Sequence, residues 1–307
     1  QCIHEFVLSI YLVEIQNIIQ CSNIINVQII VAMILGWLTY RHGIPILVPS
    51  LVGYAVLLVS IFYGEAFANA FPVIREISVL TWVWVLLLYS FIASVLPVWL
   101  LLQPRDFLNS HQLVTGLTLL IAGLFVLQPA VVAPALNLEP EGAPSLFPFL
   151  FVTIACGAIS GFHGLVSSGT TSKQLAHIPD ARPIGYGGML AEGMLGLLAV
   201  LAATAGFATS EEWWSHYSSW GAANGLAAKL DAFVSGGARF VGSLGIPVET
   251  AKTLMAVIVI AFAATSLDTG ARIQRLVIAE LGDHFRLKLL TNRFVAGGLG
   301  IGAALTL

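Results

Sequence analysis

Residues 160–192 read SGFHGLVSSGTTSKQLAHIPDARPIGYGGMLAE and connect two apolar runs, Phe147–Leu165 and Gly185–Phe207. Each run is about 20 residues long, which is enough for a helix to cross the roughly 30 Å hydrocarbon core of a bilayer. Unsatisfied polar groups at membrane depth cost several kcal/mol, so hydroxyls, a histidine and a carboxylate between two spans need a compensating use. We expect this polar segment to carry the function.

The composition indicates an integral membrane protein. Hydrophobic residues make up 58% of the chain and charged residues only 9%, with a mean hydropathy of +0.91, whereas soluble domains contain roughly 25% charged residues. Long apolar runs favour helices over the short alternating strands of a barrel. We therefore predict an all-α, polytopic transmembrane helical bundle with broken helices, in contact with the lipid bilayer.

Charge and cysteine content exclude other classes. A formal net charge of −3 offers no basic surface for nucleic acid. The three cysteines lack metal-ligand spacing. We predict no nucleic-acid partner, no metal site and no cofactor.

The apolar runs predict a series of spans, and Lys and Arg placement orients them. The complete predicted spans are Asn23–Tyr40, Ile44–Tyr63, Val79–Leu102, Leu113–Val132, Phe147–Leu165, Gly185–Phe207 and Ala251 to about Ser266. Because positive charge concentrates in cytoplasmic loops, segments 160–182 and 272–293 are expected on the cytoplasmic side, together with a turn at Arg105 and Asp106. Pro97 is expected to kink the third span. Segment 208–250 is the longest one predicted outside the membrane.

Two domains are expected. Residues 1–23 are expected to form a poorly matched N-terminal segment, and residues 24–307 a transmembrane core. A partial apolar run begins at Phe294, so we expect a fragment truncated at both ends.

Glycines in the polar segment predict an interrupted helix. Gly161, Gly164 and Gly169 each weaken a helix by about 1 kcal/mol relative to alanine. Freed backbone groups and nearby hydroxyls can then bind a small polar solute or an ion. The candidate substrate-binding residues here are Ser160, His163, Ser167, Ser168, Thr170 and Thr171. The alternative is a close-packed helix crossing in which the hydroxyls bond between helices.

Glu192 is predicted within a span, where a carboxylate costs about 2.5 to 3.5 kcal/mol on insertion scales. Proton carrier is the favoured role, shared with His163, whose charge can change near neutral pH. The alternative is a structural pair with Lys173, Arg182 or His163.

Residues 265–275, TSLDTGARIQR, form the third polar element. Asp268 and Arg272 lie at positions i and i+4 on one helical stripe. Thr265, Ser266, Asp268 and Thr269 supply oxygens suited to a sodium ion, and the first three are candidates for coupling to a proton or ion. Arg272 is a candidate for the carboxylate of a substrate. The alternative is that Asp268 simply pairs with Arg272.

Several long motifs resemble the carbon starvation protein A family of bacterial inner-membrane transporters. They are YSFIASVLPVWLLLQPRDFLNS at 89–110, SGFHGLVSSGTTSKQLA at 160–176, ARPIGYGGMLAE at 181–192 and TSLDTGARIQR at 265–275. The resemblance covers about residues 24–307. It implies proton-coupled uptake of peptides or pyruvate under carbon limitation, through a secondary transporter with inverted repeats and broken helices around a central site.

Other functions stay open on the residues alone. His163 with Ser167 or Ser168 could serve as the base and nucleophile of a membrane-embedded hydrolase, provided that the helix persists through Gly164. A membrane sensor that does not transport is a further alternative.

Overall fold

The computed structural model describes residues 15–70, 79–137, 141–158, 161–169, 171–224 and 226–305. Within these ranges all regular secondary structure is helical, which confirms the all-α prediction. The α-helices are α1 Ile15–His42, α2 Leu47–Ala70, α3 Val79–Val95, α4 Leu102–Leu127, α5 Leu146–Ala158, α6 Gly161–Gly169, α7 Ala181–Ala205, α8 Ser210–His216, α9 Trp220–Asn224, α10 Leu226–Gly242, α11 Val248–His284 and α12 Arg293–Leu305.

Among the described residues, three helical segments are long and apolar enough to cross a bilayer. They are α4, the segment Ile178–Ala205 that includes α7, and α11. Shorter apolar segments lie in α2, α3 and α5. The predicted membrane character is confirmed by these segments together with the composition.

The long helix α11 corrects one predicted boundary. The span expected to end near Ser266 continues as helix to His284, a helix of 37 residues. At 1.5 Å per residue this corresponds to about 55 Å, well beyond the roughly 30 Å hydrocarbon core. Arg272, which was predicted on one helical stripe with Asp268, therefore lies on the same continuous helix, and so does Arg275.

The region around Pro97 differs from the prediction. A kink within one span from Val79 to Leu102 was expected, but α3 ends at Val95 and α4 begins at Leu102. Proline disfavours helix in the residue before it, which explains why α3 ends here. The predicted cytoplasmic turn at Arg105 and Asp106 is wrong, because both residues belong to the beginning of α4.

Helix α4 contributes to the two larger apolar clusters of the bundle, and a third, smaller one consists of Ala256, Val257 and Ile260 of α11. One cluster of buried residues comes from α4, α7, α10 and α11 and includes Leu120, Ala202, Phe240 and Met255. The other comes from α1 to α4 and the turn before α4. Since α11 packs against α1, α3, α4, α10 and α12, it is the central element. Part of segment 208–250 thus packs into the bundle as α10.

The described part of the polar segment is helical through Gly161 and Gly164, where unwinding was expected, and is interrupted after Gly169. Helix α6 ends at Gly169, and 3₁₀ turns at Thr171–Gln174 and Ile178–Asp180 precede α7. Residues 159, 160 and 170, and the predicted N-terminal stretch before Ile15, lie outside the described residues. Helix α7 reaches the core only through its C-terminal part, where Leu198, Ala202 and Ala205 are buried.

Gly123 allows the closest approach of α4 and α10. A Cβ atom at this position would collide with the backbone carbonyl of Phe240. The Ser243 hydroxyl donates to the Gly123 carbonyl at 3.1 Å at the same contact. The absence of a side chain at Gly123 therefore sets the spacing of the two helices.

We expect Gly123→Ala to lower the free energy of unfolding by about 1 to 3 kcal/mol, because overpacking forces the backbones apart. Thermal unfolding in detergent measures the change. Gly188→Ala is the matched control: among the described residues no heavy atom lies within 4 Å of its added Cβ. It should be neutral or stabilise by up to about 1 kcal/mol through helix propensity. Equal losses for both variants would contradict this account of the contact.

Candidate functional site

A buried cluster of polar side chains lies between α3, α4 and α11. Arg105 and Asp268 have side chains that are 0% exposed and form an ion pair through Nη1 and Oδ2. Arg105 Nη1 also donates to the Tyr89 hydroxyl at 2.7 Å. The Tyr89 hydroxyl in turn donates to Asp268 Oδ2 at 2.8 Å. The three groups form a closed, charged triangle.

A second layer of the cluster adds α1. Gln28 Nε2 donates to Asn109 Oδ1. Asn109 Nδ2 donates to the Thr265 hydroxyl, which donates to the Ala261 carbonyl at 2.7 Å. Asn109 lies one turn after Arg105 on α4, and Thr265 lies one turn before Asp268 on α11. The two layers are therefore stacked along the same pair of helices.

Several buried atoms of the cluster have hydrogen-bonding capacity to spare. In the described part of the chain, no protein atom bonds Arg105 Nε or Nη2, Asp268 Oδ1, or Oε1 of Gln28 and Gln112. Leaving a buried polar atom unbonded costs about 1 to 3 kcal/mol, and more when it is charged. In an ion pair with a purely structural role, further hydrogen bonds normally satisfy these atoms. Free donors beside a free acceptor suit a group that exchanges partners.

A cavity of about 410 Å³ lies at the beginning of α4. Its lining includes Tyr40, Gln103, Asp106, Ser110 and Gln174. Gln174 comes from the first 3₁₀ turn, so the cavity joins the polar segment to the helix that carries Arg105. The Tyr40 hydroxyl donates to Gln103 Oε1 at 2.7 Å and holds one wall. Polar access to the N-terminal end of α4 therefore comes from the side of the polar segment.

The structure brings Thr265 and Asp268 into the cluster but separates the other candidates on α11. Ser266 is exposed. Arg272 is partly buried, and its Nη1 donates to the Leu96 carbonyl at 3.2 Å. The alternative in which Asp268 pairs with Arg272 is wrong, because the partner of Asp268 is Arg105.

The hydroxyls of the polar segment bond within their own turns. Ser167 and Ser168 are exposed and donate to the Gly164 carbonyl at 3.0 and 2.9 Å. Thr171 is exposed and donates to the Val166 carbonyl at 3.5 Å. Ser160 and Thr170 lie outside the described residues, and so does the side chain of His163. The described hydroxyls are thus not part of the Arg105 and Asp268 cluster.

Glu192 is exposed on the part of α7 that precedes its buried residues. Within the described ranges it forms no ion pair with Lys173 or Arg182. The proposed pairing with either residue therefore has no support in the arrangement of these helices. Its role as a proton carrier stays a prediction.

Comparison with known proteins assigns the chain to a family. The family described as carbon starvation protein CstA matches residues 6–215. The chain belongs to this family. Among relatives, the peptide transporter CstA of Mycobacterium tuberculosis is 44% identical over 162 residues, 50% of this chain and 21% of that protein. The peptide transporter CstA of Escherichia coli is 48% identical over 125 residues, 39% of this chain and 18% of that protein.

A differently named relative belongs to the same comparison. The pyruvate/proton symporter BtsT of Escherichia coli is 41% identical over 162 residues, 50% of this chain and 23% of that protein. The chain thus matches about a fifth of the length of these relatives. No solved structure matches it.

For this member of the CstA family, sequence reasoning missed Tyr89, Arg105, Asn109 and Gln28. Arg105 was assigned to a loop because positive charge marks cytoplasmic turns. The overlooked signal is the spacing of Arg105, Asn109 and Gln112, which follows the four- and three-residue steps of one helical face. A helix beginning at Leu102 would have placed all three on one buried stripe.

We expect Asp268→Leu to lower the free energy of unfolding by about 3 to 5 kcal/mol, because it leaves the buried guanidinium of Arg105 without a counter-charge. The double variant with Arg105→Met should recover most of this loss. Unfolding in detergent measures both.

The control is the exposed pair of His177 and Asp180, whose Nδ1 and Oδ2 atoms lie 3.6 Å apart. Asp180→Asn should change stability by less than about 1 kcal/mol. A double variant as unstable as Asp268→Leu alone would show that the loss comes from packing rather than from the unpaired charge.

Proposed function

We propose that this chain is part of a multi-pass secondary transporter of the bacterial inner membrane that takes up small carboxylates or short peptides with protons. The observation that carries the proposal is the fully buried pair of Arg105 and Asp268, with unbonded guanidinium nitrogens beside it. Ionisable residues inside membrane helices are rare and mark substrate or proton pathways. The names of the relatives, a peptide transporter and a pyruvate/proton symporter, support the same reading.

The coupling step follows from competition for Arg105. A guanidinium presents donors in a planar fork that fits a carboxylate with two parallel hydrogen bonds. A substrate carboxylate that binds the free edge of Arg105 shares this positive charge with Asp268. The Asp268 carboxylate is then less well stabilised and gains affinity for a proton. A monocarboxylate and a proton then load together with no change in the total charge of the site, whereas a zwitterionic peptide and a proton add one positive charge.

Tyr89 steers this exchange. Its hydroxyl accepts from Arg105 and donates to Asp268, so it can remain bonded to one partner while the other moves. Thr265 and Asn109 hold the adjoining layer. The cavity lined by Gln174 and Asp106 is the proposed route from the polar segment.

The other predicted residues keep roles in this proposal. The hydroxyls of Ser160, Ser167, Ser168, Thr170 and Thr171 belong to the route by which solute approaches. Arg272 is a second candidate for the substrate carboxylate. Glu192 and His163 are alternative proton carriers, and Ser266 with Thr265 and Asp268 would supply oxygens if sodium replaced the proton.

We propose that the chain acts without catalysing a reaction. In the hydrolase alternative, Ser167 or Ser168 needs its hydroxyl proton directed at a base. Both hydroxyls instead donate to the Gly164 carbonyl. The relatives are named as transporters, which also favours transport over a sensor.

The test is uptake by protein reconstituted in proteoliposomes, with labelled pyruvate and labelled alanyl-alanine as substrates. We expect Asp268→Asn to abolish accumulation driven by a pH gradient, while exchange of substrate across the membrane persists. An amide keeps the shape of the side chain but cannot carry the proton.

Glu192→Gln makes the same chemical change at an exposed position and should leave accumulation intact. Normal accumulation by Asp268→Asn together with loss in Glu192→Gln would move the coupling role to Glu192. Accumulation by both variants would contradict coupling through either carboxylate.

A further inference from the structure

A separate cavity of about 680 Å³ lies where α8, α10 and the ends of α7 and α11 meet. Its charged and titratable lining residues are Glu212, His216, Asp231, Arg239 and Lys252. Asp268 lies further along α11 than Lys252 by about 24 Å at 1.5 Å per residue. This α8/α10 cavity is therefore distinct from the buried cluster around Arg105.

The walls of the α8/α10 cavity are fixed by the backbone. Arg239 Nη1 donates to the carbonyls of Phe207 and Gly206. The Thr209 hydroxyl accepts from the Glu212 amide at 3.2 Å, and Glu212 Oε2 accepts from the Ala208 amide at 2.7 Å. The Thr209 and Glu212 bonds cap α8, and the Arg239 bonds join α10 to the residues that precede α8.

The acidic side of the cavity is organised around Asp231. Its Oδ1 accepts from the Ser235 hydroxyl at 3.0 Å. His216 Nδ1 lies 3.9 Å from Asp231 Oδ2, while His216 Nε2 bonds the Ala228 carbonyl at 3.1 Å. Asp231 is exposed, so its carboxylate remains available to a cation.

The basic side is formed by Arg239 and Lys252, which are both partly buried. Within the described residues, neither forms an ion pair with Asp231 or Glu212. Opposite charges in one cavity that do not reach each other leave a negative region and a positive region. A ligand with one charge would satisfy only one of them.

We propose that the α8/α10 cavity binds a zwitterion, with its ammonium group at Asp231 and its carboxylate at Lys252 and Arg239. Free amino acids and short peptides have this chemistry, and a pocket of roughly 300 to 1,000 Å³ is the usual size for a small ligand. The proposal deepens the proposed transport function by naming the substrate class of a capture site. A lipid headgroup that bears a phosphate and an ammonium shares the chemistry, but we assign the site to the peptide.

Calorimetric titration of the purified protein in detergent tests the assignment. The probes are alanyl-alanine, its N-acetyl derivative, its C-terminal amide and phosphoethanolamine. We expect alanyl-alanine to bind, and each blocked derivative to bind at least about tenfold more weakly, because one charged contact is lost. Phosphoethanolamine should bind more weakly than the peptide.

Lys252→Gln and Asp231→Asn should each weaken alanyl-alanine binding by about tenfold or more. Lys288→Gln is the matched control at an exposed lysine outside the cavity, and circular dichroism checks that each variant folds. Lys252→Gln should weaken binding by the same factor in the Asp268→Asn background, so loss of coupling at the buried cluster and loss of this site are separable.

Equal binding of the blocked and unblocked peptides would overturn the proposal, as would binding of phosphoethanolamine alone. Binding that is lost in Asp268→Asn but kept in Lys252→Gln would place the peptide at the buried cluster instead.

Discussion

The ion pair between Arg105 and Asp268 is the constraint on which the bundle depends. Removing two charges from water costs several kcal/mol per ion, and only close pairing with further hydrogen bonds offsets the loss. Helices α3, α4 and α11 must therefore meet where Tyr89, Arg105 and Asp268 contact one another. At this meeting point the side chains of Arg105 and Asp268 are fully buried.

The general architecture was accessible from sequence, because composition and run length report directly on the bilayer. Asp268 and Thr265 were also accessible, since a carboxylate and a hydroxyl on one turn of an apolar helix stand out. The partner of Asp268 was not, because Arg105 is 163 positions away in the chain. Periodicity describes neighbours on one helix and carries no information on which helices touch.

In segment 160–192 the sequence drew attention to polar side chains that the structure does not bring together. Its backbone was predicted to unwind at the glycines, but Gly161–Gly169 is helical and the described 3₁₀ turns follow it. Its side chains were expected to converge on a solute, yet the described hydroxyls bond their own carbonyls and Glu192 is exposed. Polarity in a membrane sequence identifies a segment that needs compensation, but local backbone carbonyls can supply that compensation as readily as a ligand can.

The end of α3 before Pro97 has a mechanical consequence. The Leu96 carbonyl lies just after the end of α3 and accepts a hydrogen bond from Arg272. Arg105, at the start of α4, forms the ion pair with Asp268. The corner between α3 and α4 is thus bonded to α11 at two residues, Asp268 and Arg272, which lie one helical turn apart. Rotation of α11 about its axis would strain both contacts at once, so α11 can move relative to this corner only if both contacts break together.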